Sequence, residues 1–350
     1  FQDNVRKYLE EHATIDNIKH IANGDEKNLS AEIHQGLLNL GMNGLLIPEE
    51  FGGLGLDLLF AAVVSEALGG GAGPTPFIAP YVMAPIAIRH AGSMSQHENY
   101  LSKIATNEYC FGVGFSEFIG KRNDAGITFS DNVLNGRAMF VLDAYDATHL
   151  LLADEKGQIF VVDARSSNIE IVKLTTVDKT RQYSEVICKN LEAELLENSS
   201  DSTDPIIQAI DAGRIMLAAD SLGASQTMID KAVDYAKERK QFGRAIGSFQ
   251  AVKHMCAEMA ADLEPCYALV WHAAHCHDHS PEEARLMACH AKAHVSEMSK
   301  GIAKKATEVH GGMGFTDLLG LHYWFKRIGL NRQILGSPEL VREEAYKTQV

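Results

Sequence analysis

The stretch "YAKERKQFGRAIGSFQAVKHMCAEM", Tyr235–Met259, decides how the chain divides. It carries five cationic side chains from Lys237 to Lys253, and Gly243 separates two segments with the apolar spacing of helices. Glycine allows the backbone to turn sharply at such a joint. The chain as a whole is acidic, with 32 Lys and Arg against 46 Asp and Glu and a formal net charge of -14. A cationic joint in an acidic protein predicts a local site for an anion.

The segment before this joint predicts one long helix. A polar linker, "ENSSDSTDP", precedes it, and Asp204 before Pro205 is the candidate N-cap. Apolar residues with helical spacing then form a single stripe, which consists of Ile215, Ala218, Leu222, Ile229 and Val233. A stripe of this length predicts a helix of more than about thirty residues that packs within a bundle.

Residues 108–200 differ from the rest of the chain in residue composition and in the spacing of apolar residues. Short runs rich in β-branched and aromatic residues, such as "FVLDA", "HLLLA" and "IFVVDA", alternate with turn sequences such as "NG" and "EKG", which is typical of short β-strands. Residues 1–107 and 201–350 instead show helical spacing. The sequence therefore predicts an α+β fold that is mainly α, with an N-terminal helical domain, a small middle β domain and a C-terminal four-helix bundle.

Composition excludes several classes of function. The negative net charge argues against general binding to nucleic acid or to anionic membranes, since both need a positive field. No run of 18 apolar residues and no charged-then-apolar leader occurs in the sequence. The six cysteines form no C-x-x-C pair, which indicates reduced thiols in a reducing compartment. We therefore expect a cytoplasmic protein.

Four separate motifs occur in one order along the chain. They are "LGMNGLLIPEEFGGLGL" (Leu40–Leu56), "NGRAMFVLDA" (Asn135–Ala144), "ERKQFGRAIGSFQAVKH" (Glu238–His254) and "VHGGMGFT" (Val309–Thr316). Together with the order of the domains, they resemble the acyl-CoA dehydrogenase family of flavoproteins across nearly the whole chain. The resemblance implies FAD as the cofactor and the α,β-dehydrogenation of a CoA thioester as the activity.

The resemblance implies a specific role for the cationic joint. In the family, the Arg and Phe of an R-x-x-F-G joint and a later Gln meet the ADP half of FAD that is bound mainly by a neighbouring subunit. The corresponding residues are Arg239, Phe242 and Gln250, and the glycine turn adds Gly311 and Gly312. Arginine can make charge-assisted hydrogen bonds to a diphosphate. The alternative interpretations are a solvated helix end and a plain tight turn.

The family's catalytic base is missing at both of its known positions. Relatives remove the substrate α-proton with a Glu while the β-hydrogen leaves as hydride to the flavin. That Glu lies either before the last helix or on the first long helix of the C-terminal bundle. Here the two positions are Gly336, in "RQILGSPEL", and Gly213, in "IDAGRIM". The resemblance thus implies no base in this chain, with Asp211 and Glu339 as displaced candidates and Arg214 as a substrate contact.

The flavin-ring side and the glycine turn also depart from the family pattern. Relatives carry Thr-Glu-Pro-x-x-Gly-Ser-Asp before the β domain and a Trp-Ile-Thr/Ser-Asn strand within it, which hold the flavin ring. This chain has "FSEFIGKRNDAG" and "AMFVLDAYDA", so the Trp is absent, and Ser116 and Glu117 are candidates to replace the first pair. Glu308 stands where relatives have Gln. A carboxylate beside a diphosphate is unfavourable unless it is turned away, protonated or bridged by a cation.

The chain thus keeps the residues that contact the ADP part of a FAD bound by a neighbouring subunit. It lacks the catalytic base and the residues that hold the flavin ring within a subunit. This asymmetry is similar to the heterotetrameric branch of the family that shortens steroid side chains. The resemblance implies a second acyl-CoA dehydrogenase-like chain that carries the base, and an electron-transfer flavoprotein as a further partner. The alternatives are a self-sufficient homotetramer with a displaced base, a structural subunit without flavin, and an acyl-CoA oxidase or flavin monooxygenase on the same scaffold.

A histidine-rich segment, "WHAAHCHDHSPEE", raises a separate question. His272 and His275 are spaced i, i+3 on a predicted helix, and Cys276 is adjacent, so a transition-metal site is conceivable. His277 and His279 follow in the same segment. No second ligand cluster accompanies these residues in the sequence. A solvated helix end that leads into the Ser280-Pro281 turn is the favoured interpretation, and no metal is predicted.

Overall fold

A computed structural model describes residues 1–25, 28–115, 117–120, 125–199 and 202–349, with only the backbone described at Glu117. The N-terminal part is helical. Its helices are α1 (Gln2–His12), α2 (Ile15–Asn23), α3 (Leu29–Asn39), α4 (Leu58–Gly70), α5 (Ala84–Ala91) and α6 (Met94–Ala105). Short 3₁₀ turns connect α3 to α4, and a π-helical turn at Ala79–Met83 leads into α5.

The middle part is a single sheet with one short helix. Its strands are β1 (Phe111–Gly114), β2 (Gly126–Ser130), β3 (Val133–Leu142), β4 (His149–Ala153), β5 (Ile159–Asp163), β6 (Ile169–Lys173), β7 (Tyr183–Glu192) and β8 (Glu194–Leu195), and the helix is α7 (Glu117–Gly120). The strand order is β6-β7-β3-β1-β4-β5-β8, and β2 also pairs with β3. Strands β1 and β4 are parallel, whereas the other pairs are antiparallel.

A β-bulge in β3 determines where one aromatic side chain lies. The register between β3 and β7 shifts between Ala138 and Val141. Within this bulge Phe140 has a φ of 51°, and 44% of the residue is exposed. Bulges commonly redirect a side chain in this way. The neighbouring Ala138 and Val141 are fully buried in the core of the sheet.

The C-terminal part is again helical. It comprises α8 (Asp204–Glu238), a hairpin of β9 (Lys240–Gln241) and β10 (Arg244–Ala245), α9 (Gln250–His279), α10 (Pro281–His310), α11 (Leu321–Asn331) and α12 (Pro338–Lys347). The predicted α+β, mainly α fold with its helix, sheet, helix order is confirmed. The prediction of Asp204 as N-cap is wrong by one residue. Thr203 is the N-cap of α8, and Asp204 is the first helical residue. Pro205 is then the second helical residue, and proline is tolerated there because an N–H in the first turn has no partner within the helix.

Helix α8 packs against α4 through glycines. A Cβ on Gly69 would lie 1.9 Å from the Asp220 carbonyl oxygen, and one on Gly223 would lie 1.8 Å from the Glu66 carbonyl oxygen. No side chain fits at either position, so the two backbones approach closely only because both residues are glycine. The N-terminal helices are thereby held directly on the longest helix of the C-terminal part.

Asp220 of α8 lies at the centre of a fully buried polar network. Its Oδ2 accepts hydrogen bonds from Arg181 (2.5 Å) and Arg327 (2.7 Å), and its Oδ1 accepts one from Asn331 (2.6 Å). Arg327 also donates to the Gly73 carbonyl oxygen at 3.1 Å. Burial raises the pKa of Asp220, but the two guanidinium groups outweigh burial and lower the pKa below its usual value. The network therefore joins the sheet, the C-terminal helices and the N-terminal part.

We expect Asp220→Asn to lower the free energy of unfolding by about 3–5 kcal/mol, because it removes the carboxylate that forms ion pairs with two buried guanidinium groups. Denaturant titration measures this loss. Asp234→Asn is the control on the same helix, since Asp234 is exposed and its ion pair is with exposed Lys237. The control change should stay within about 0.5 kcal/mol. Equal stability of the two variants would contradict the central role of Asp220.

The same network predicts a pH dependence. Because the folded-state pKa of Asp220 lies below the unfolded value of about 3.9, its contribution to stability is present above that pH. The contribution is lost as the pH falls through the folded-state pKa. Asp220→Asn should accordingly make the acid limb of stability against pH shallower than in the wild type.

Candidate functional site

The cationic joint is an exposed hairpin at one end of the helical bundle. Helix α8 ends at Glu238, Arg239 follows in an extended conformation, and both the Arg239 and the Arg244 side chains are exposed. Phe242 lies at the hairpin tip with a φ of 52° and is 91% exposed, and Gly243 follows with a φ of 78°. The hairpin thus presents two guanidinium groups and one aromatic face to the outside of the chain.

Gln250 begins the helix that follows the hairpin. It is exposed, and its amide lies 3.2 Å from the His254 imidazole one turn later. Arg244 stacks over Phe249, 4.0 Å from the ring centroid. In the part of the chain that the structure describes, no carboxylate lies within ion-pair distance of Arg239 or Arg244. Both cations are therefore free to meet an external anion.

The glycine turn lies at the same end of the bundle. His310, the last residue of α10, packs on Tyr235 of α8 with 4.7 Å between the ring centroids. Gly311 then adopts φ 58° and ψ -139°, a conformation that essentially only glycine reaches. A Cβ on Gly311 or Gly312 would have no atom within 4 Å, so the turn faces open space. The structure therefore brings Gly311 and Gly312 to the end of the bundle that carries Arg239.

Glu308 lies beside this turn with its side chain exposed. Its backbone carbonyl accepts the hydrogen bond from the Gly311 N–H. Two apolar residues that follow the turn are also exposed, Phe315 at 80% and Leu318 at 73%. This end of the bundle therefore combines exposed cations, exposed apolar side chains and open glycine backbone.

The two glycines at the base positions converge on one place. A Cβ on Gly213 would lie 2.5 Å from Leu335 Cδ1 and 2.9 Å from Met83 Sδ. Gly336 directly follows Leu335, and its φ is 105°. A Cβ there would lie 2.9 Å from Val341 Cγ2. The location of both predicted base positions is therefore filled by apolar side chains of the chain itself.

Arg214 lies next to this location but is fully buried. Its guanidinium donates two hydrogen bonds to Glu344, at 2.6 and 3.1 Å, and one to the Leu335 carbonyl oxygen at 2.8 Å. Arg285 bridges Glu344 and Asp211 with two contacts of 2.5 Å. These partners give Arg214 a structural role within the chain. Its contact with a substrate stays a prediction.

The two displaced-base candidates are both engaged by partners. Asp211 is buried, and burial raises its pKa to about 6, although Arg285 and Arg214 partly offset the rise. Glu339 is exposed, and its own backbone N–H, Ser337 and Arg332 lower its pKa to about 2. Ser337 caps α12 and accepts from the Leu340 N–H at 3.4 Å. Arg285 holds the Asp211 carboxylate and Arg332 holds the Glu339 carboxylate, so both displaced-base candidates are already paired.

On the sheet side, the space next to β3 is almost closed. The gap bounded by Phe77, Leu142, Asp143 and Arg181 has a volume of about 10 Å³, which holds about one water molecule. Burial raises the pKa of Asp143 to about 6, and Arg181 partly offsets the rise. Asp143 was not among the site residues predicted from the sequence, although its φ of 54° is unusual for a non-glycine residue. Ser116 and the side chain of Glu117 lie outside the described residues.

A larger cavity than this gap lies elsewhere on the chain. It measures about 300 Å³ and is formed by α2, the loop before β7 and the start of α11. Lys19, Lys179 and Lys326 line it together with Asp178 and Asp317. None of the residues predicted for the flavin or the base borders this cavity.

Comparisons with known proteins identify the family. The family model described as "Acyl-CoA dehydrogenase, N-terminal domain" matches residues 1–108, and the model described as "Acyl-CoA dehydrogenase, C-terminal domain" matches residues 204–348. A subunit named CarC, of the caffeyl-CoA reductase-Etf complex of Acetobacterium woodii, is 30% identical over 321 residues, which cover 83% of this chain and 83% of that protein. The chain belongs to the acyl-CoA dehydrogenase family. Members of this family are oxidoreductases that act on CH–CH bonds and typically bind FAD.

Solved structures share the same fold. The ChsE4-ChsE5 complex from Mycobacterium tuberculosis includes a chain with a TM-score of 0.88 and 20% identity, over 99% of this chain and 95% of that one. A variant of the Tcur3481-Tcur3483 steroid ACAD gives a TM-score of 0.86 and 24% identity, over 99% of this chain and 96% of that one. None of the helices in the described ranges is long and apolar enough to span a membrane.

The backbone conformation of Gly336 leads to a prediction about stability. We expect Gly336→Ala to lower the free energy of unfolding by about 1–3 kcal/mol, because alanine at a φ of 105° is strained and its Cβ meets Val341. Gly301→Ala is the matched control, since a Cβ there has no atom within 4 Å and its backbone is helical. The control should gain up to about 1 kcal/mol. Thermal or denaturant unfolding of both variants tests the difference, and a Gly336→Ala variant as stable as the control would contradict it.

Proposed function

We propose that this chain is one subunit of a heteromeric FAD-dependent acyl-CoA dehydrogenase. It contributes the ADP-binding half of a FAD site to a partner chain, and the partner supplies the catalytic base. The observation that carries the proposal is the contrast between the two halves. The hairpin with Arg239 and the glycine turn are open and cationic. At the base positions, in contrast, Met83 and Leu335 pack against Gly213, and Val341 and Arg214 pack against Gly336.

The exposed half fits the diphosphate and adenosine of FAD. Arg239 and Arg244 offer donors for charged oxygens, and the 91% exposed ring of Phe242 offers a face for an adenine. Gly311 and Gly312 allow a ligand to approach the backbone. Glu308 is exposed and has room to turn away from a diphosphate. Bound in this way, FAD supplies the two-electron acceptor for oxidation of a thioester.

The chain's own flavin-ring side fits the cofactor poorly. The gap beside β3 has a volume of about 10 Å³, which is far below the several hundred Å³ of a typical cofactor site. Phe140 is the exposed aromatic residue in the strand where relatives carry Trp. Asp211 and Glu344 are held by two guanidinium groups. The residues of this chain therefore bind and orient an adenosine diphosphate, and proton removal from the substrate falls to the partner.

The relatives support a heteromeric assembly. CarC is by name a subunit of a complex with Etf, and ChsE4-ChsE5 is a complex of two differently named chains. An electron-transfer flavoprotein and a second chain of the same family are accordingly the proposed partners. A CoA thioester is the proposed substrate, and the steroid ACAD among the structural relatives supports a steroid-derived acyl group.

Arg239→Ala tests whether the hairpin of this chain binds the ADP part of FAD. A hydrogen bond to a charged group contributes about 1.5–3 kcal/mol, so flavin affinity of the assembled complex should fall roughly 10–100-fold. Flavin absorbance per chain after gel filtration measures the occupancy. Lys237→Ala is the matched control, because Lys237 is exposed, lies two residues away and donates a hydrogen bond to Asp234. Unchanged occupancy in Arg239→Ala, or an equal loss in the control, would count against the proposal.

Purification of the chain alone and with a partner tests the assembly. We expect the lone chain to dehydrogenate acyl-CoA about 10²–10⁴-fold more slowly than the complex, since a general base contributes a factor of that size. The complex should hold about one flavin per two chains, with retention dependent on both subunits. Native mass, flavin absorbance and turnover with an artificial electron acceptor measure these quantities.

Two outcomes would reject the assembly. A flavin-saturated, active homotetramer favours the self-sufficient alternative with a displaced base. A complex that is stable and active but contains flavin only in sites without this chain's hairpin favours the structural alternative.

A further inference from the structure

Helices α9 and α10 meet in a turn that brings three metal-ligating side chains together. His272 and Cys276 lie one turn apart near the end of α9, and Glu283 lies in the first turn of α10. Their ligand atoms all lie within 4.8 Å of one another. The sequence pattern had indicated His275, rather than Glu283, as the third conceivable ligand beside His272 and Cys276. Glu283 was missed because only the tight turn at Ser280 places it over the preceding helix.

The distances from Cys276 to the other two donors are close to those of a tetrahedral metal site. Cys276 Sγ lies 3.5 Å from His272 Nε2 and 3.9 Å from a carboxylate oxygen of Glu283. Two donors that each lie about 2.0–2.3 Å from a tetrahedral zinc ion are roughly 3.3–3.8 Å apart. Small side-chain rotations of exposed His272 and Glu283 therefore suffice to place all three donors around one ion.

The surroundings favour a cation. Cys276 is buried at the base of the cluster, whereas the imidazole and the carboxylate are exposed at its rim, so an ion can enter from solvent. Glu282 adds a second negative charge in the same turn of α10. The nearest cation along α10, Arg285, is neutralised by its contacts with Asp211 and Glu344.

We propose that His272, Cys276 and Glu283 form a binding site for one divalent metal ion of the zinc class, with water as the fourth ligand. The mixed nitrogen, sulfur and oxygen donors suit zinc, whereas magnesium and calcium take oxygen ligands. Binding releases the thiol proton of Cys276 to solvent, since the thiolate is the ligand. The ion links the end of α9 to the start of α10.

The site is independent of the proposed flavin function. His272 and Gln250 lie at opposite ends of α9, roughly 30 Å apart at about 1.5 Å per residue. The neighbouring Asp278 accepts a hydrogen bond from the Leu58 N–H at 2.6 Å, which ties this end of α9 to α4. Failure of the metal site therefore leaves the flavin proposal standing, and failure of the flavin proposal leaves the metal site standing.

Titration with Co²⁺ and then Zn²⁺ tests the site on the full chain, reduced and without a histidine tag. We expect one equivalent of Co²⁺ per chain, a near-ultraviolet thiolate-to-cobalt charge-transfer band and the visible bands of tetrahedral cobalt. Zinc should displace the cobalt and raise the thermal midpoint, because it binds the folded chain. Binding without a thiolate band would overturn the proposal.

Ligand variants and matched controls complete the test. Cys276→Ser should abolish the charge-transfer band, and His272→Gln and Glu283→Gln should each weaken zinc binding by more than about tenfold. His275→Gln and Glu282→Gln, each next to a ligand in sequence and exposed, should bind zinc within about threefold of the wild type. Because His272 and Glu283 are exposed, their variants decide the question even if Cys276→Ser fails to fold. Wild-type affinity in both of them would refute the site.

Discussion

The rest of the structure depends on the buried charge of Asp220. One carboxylate accepts hydrogen bonds from Arg181 before β7 and from Arg327 of α11, and Arg327 reaches on to the Gly73 carbonyl oxygen. Each of the three parts of the fold therefore contributes a group to one network. A buried carboxylate is tolerated only when its partners are correctly placed, so the relative position of the three parts is fixed to within hydrogen-bond tolerance. The close contact of α4 and α8 at Gly69 and Gly223 also fixes the position of the N-terminal helices relative to α8.

Helix α8 transmits this constraint to both halves of the site. The helix carries Gly213 near its start, Asp220 at the network and Arg239 just beyond its end. Because the helix is held at Asp220, the place of Gly213 against Met83 and Leu335 is fixed, and so is the direction in which the hairpin leaves the bundle. The ion pairs of Arg214, Arg285 and Glu344 occupy the space next to Gly213. A carboxylate introduced there would have to displace packed apolar side chains.

The fold was largely predictable from the sequence, because apolar spacing and turn residues act locally. The long helix from Asp204 and the strand runs such as "HLLLA" follow from such patterns. The Asp220 network was not predictable, since Arg181, Asp220 and Arg327 are far apart in sequence and carry no local signal. Fixed spacing indicated the cationic joint and the glycine turn, but the contact of Tyr235 with His310 that brings them to one end is tertiary. The burial of Arg214 likewise depends on Glu344 of the last helix.

The conformation of Phe242 supports the proposal that the exposed half contacts something outside the chain. Its left-handed backbone costs a non-glycine residue about 1–3 kcal/mol, and its ring is almost fully exposed, so burial within the chain does not offset the strain. Its ring packs edge-on against Phe249, with centroids 6.1 Å apart. The ladder of β9 and β10 and the Ile246 N–H to Arg239 carbonyl bond hold the tip in this conformation. In the proposed site divided between two chains, contact with a ligand or a partner would offset the strain of this exposed aromatic, which lies between Arg239 and Arg244.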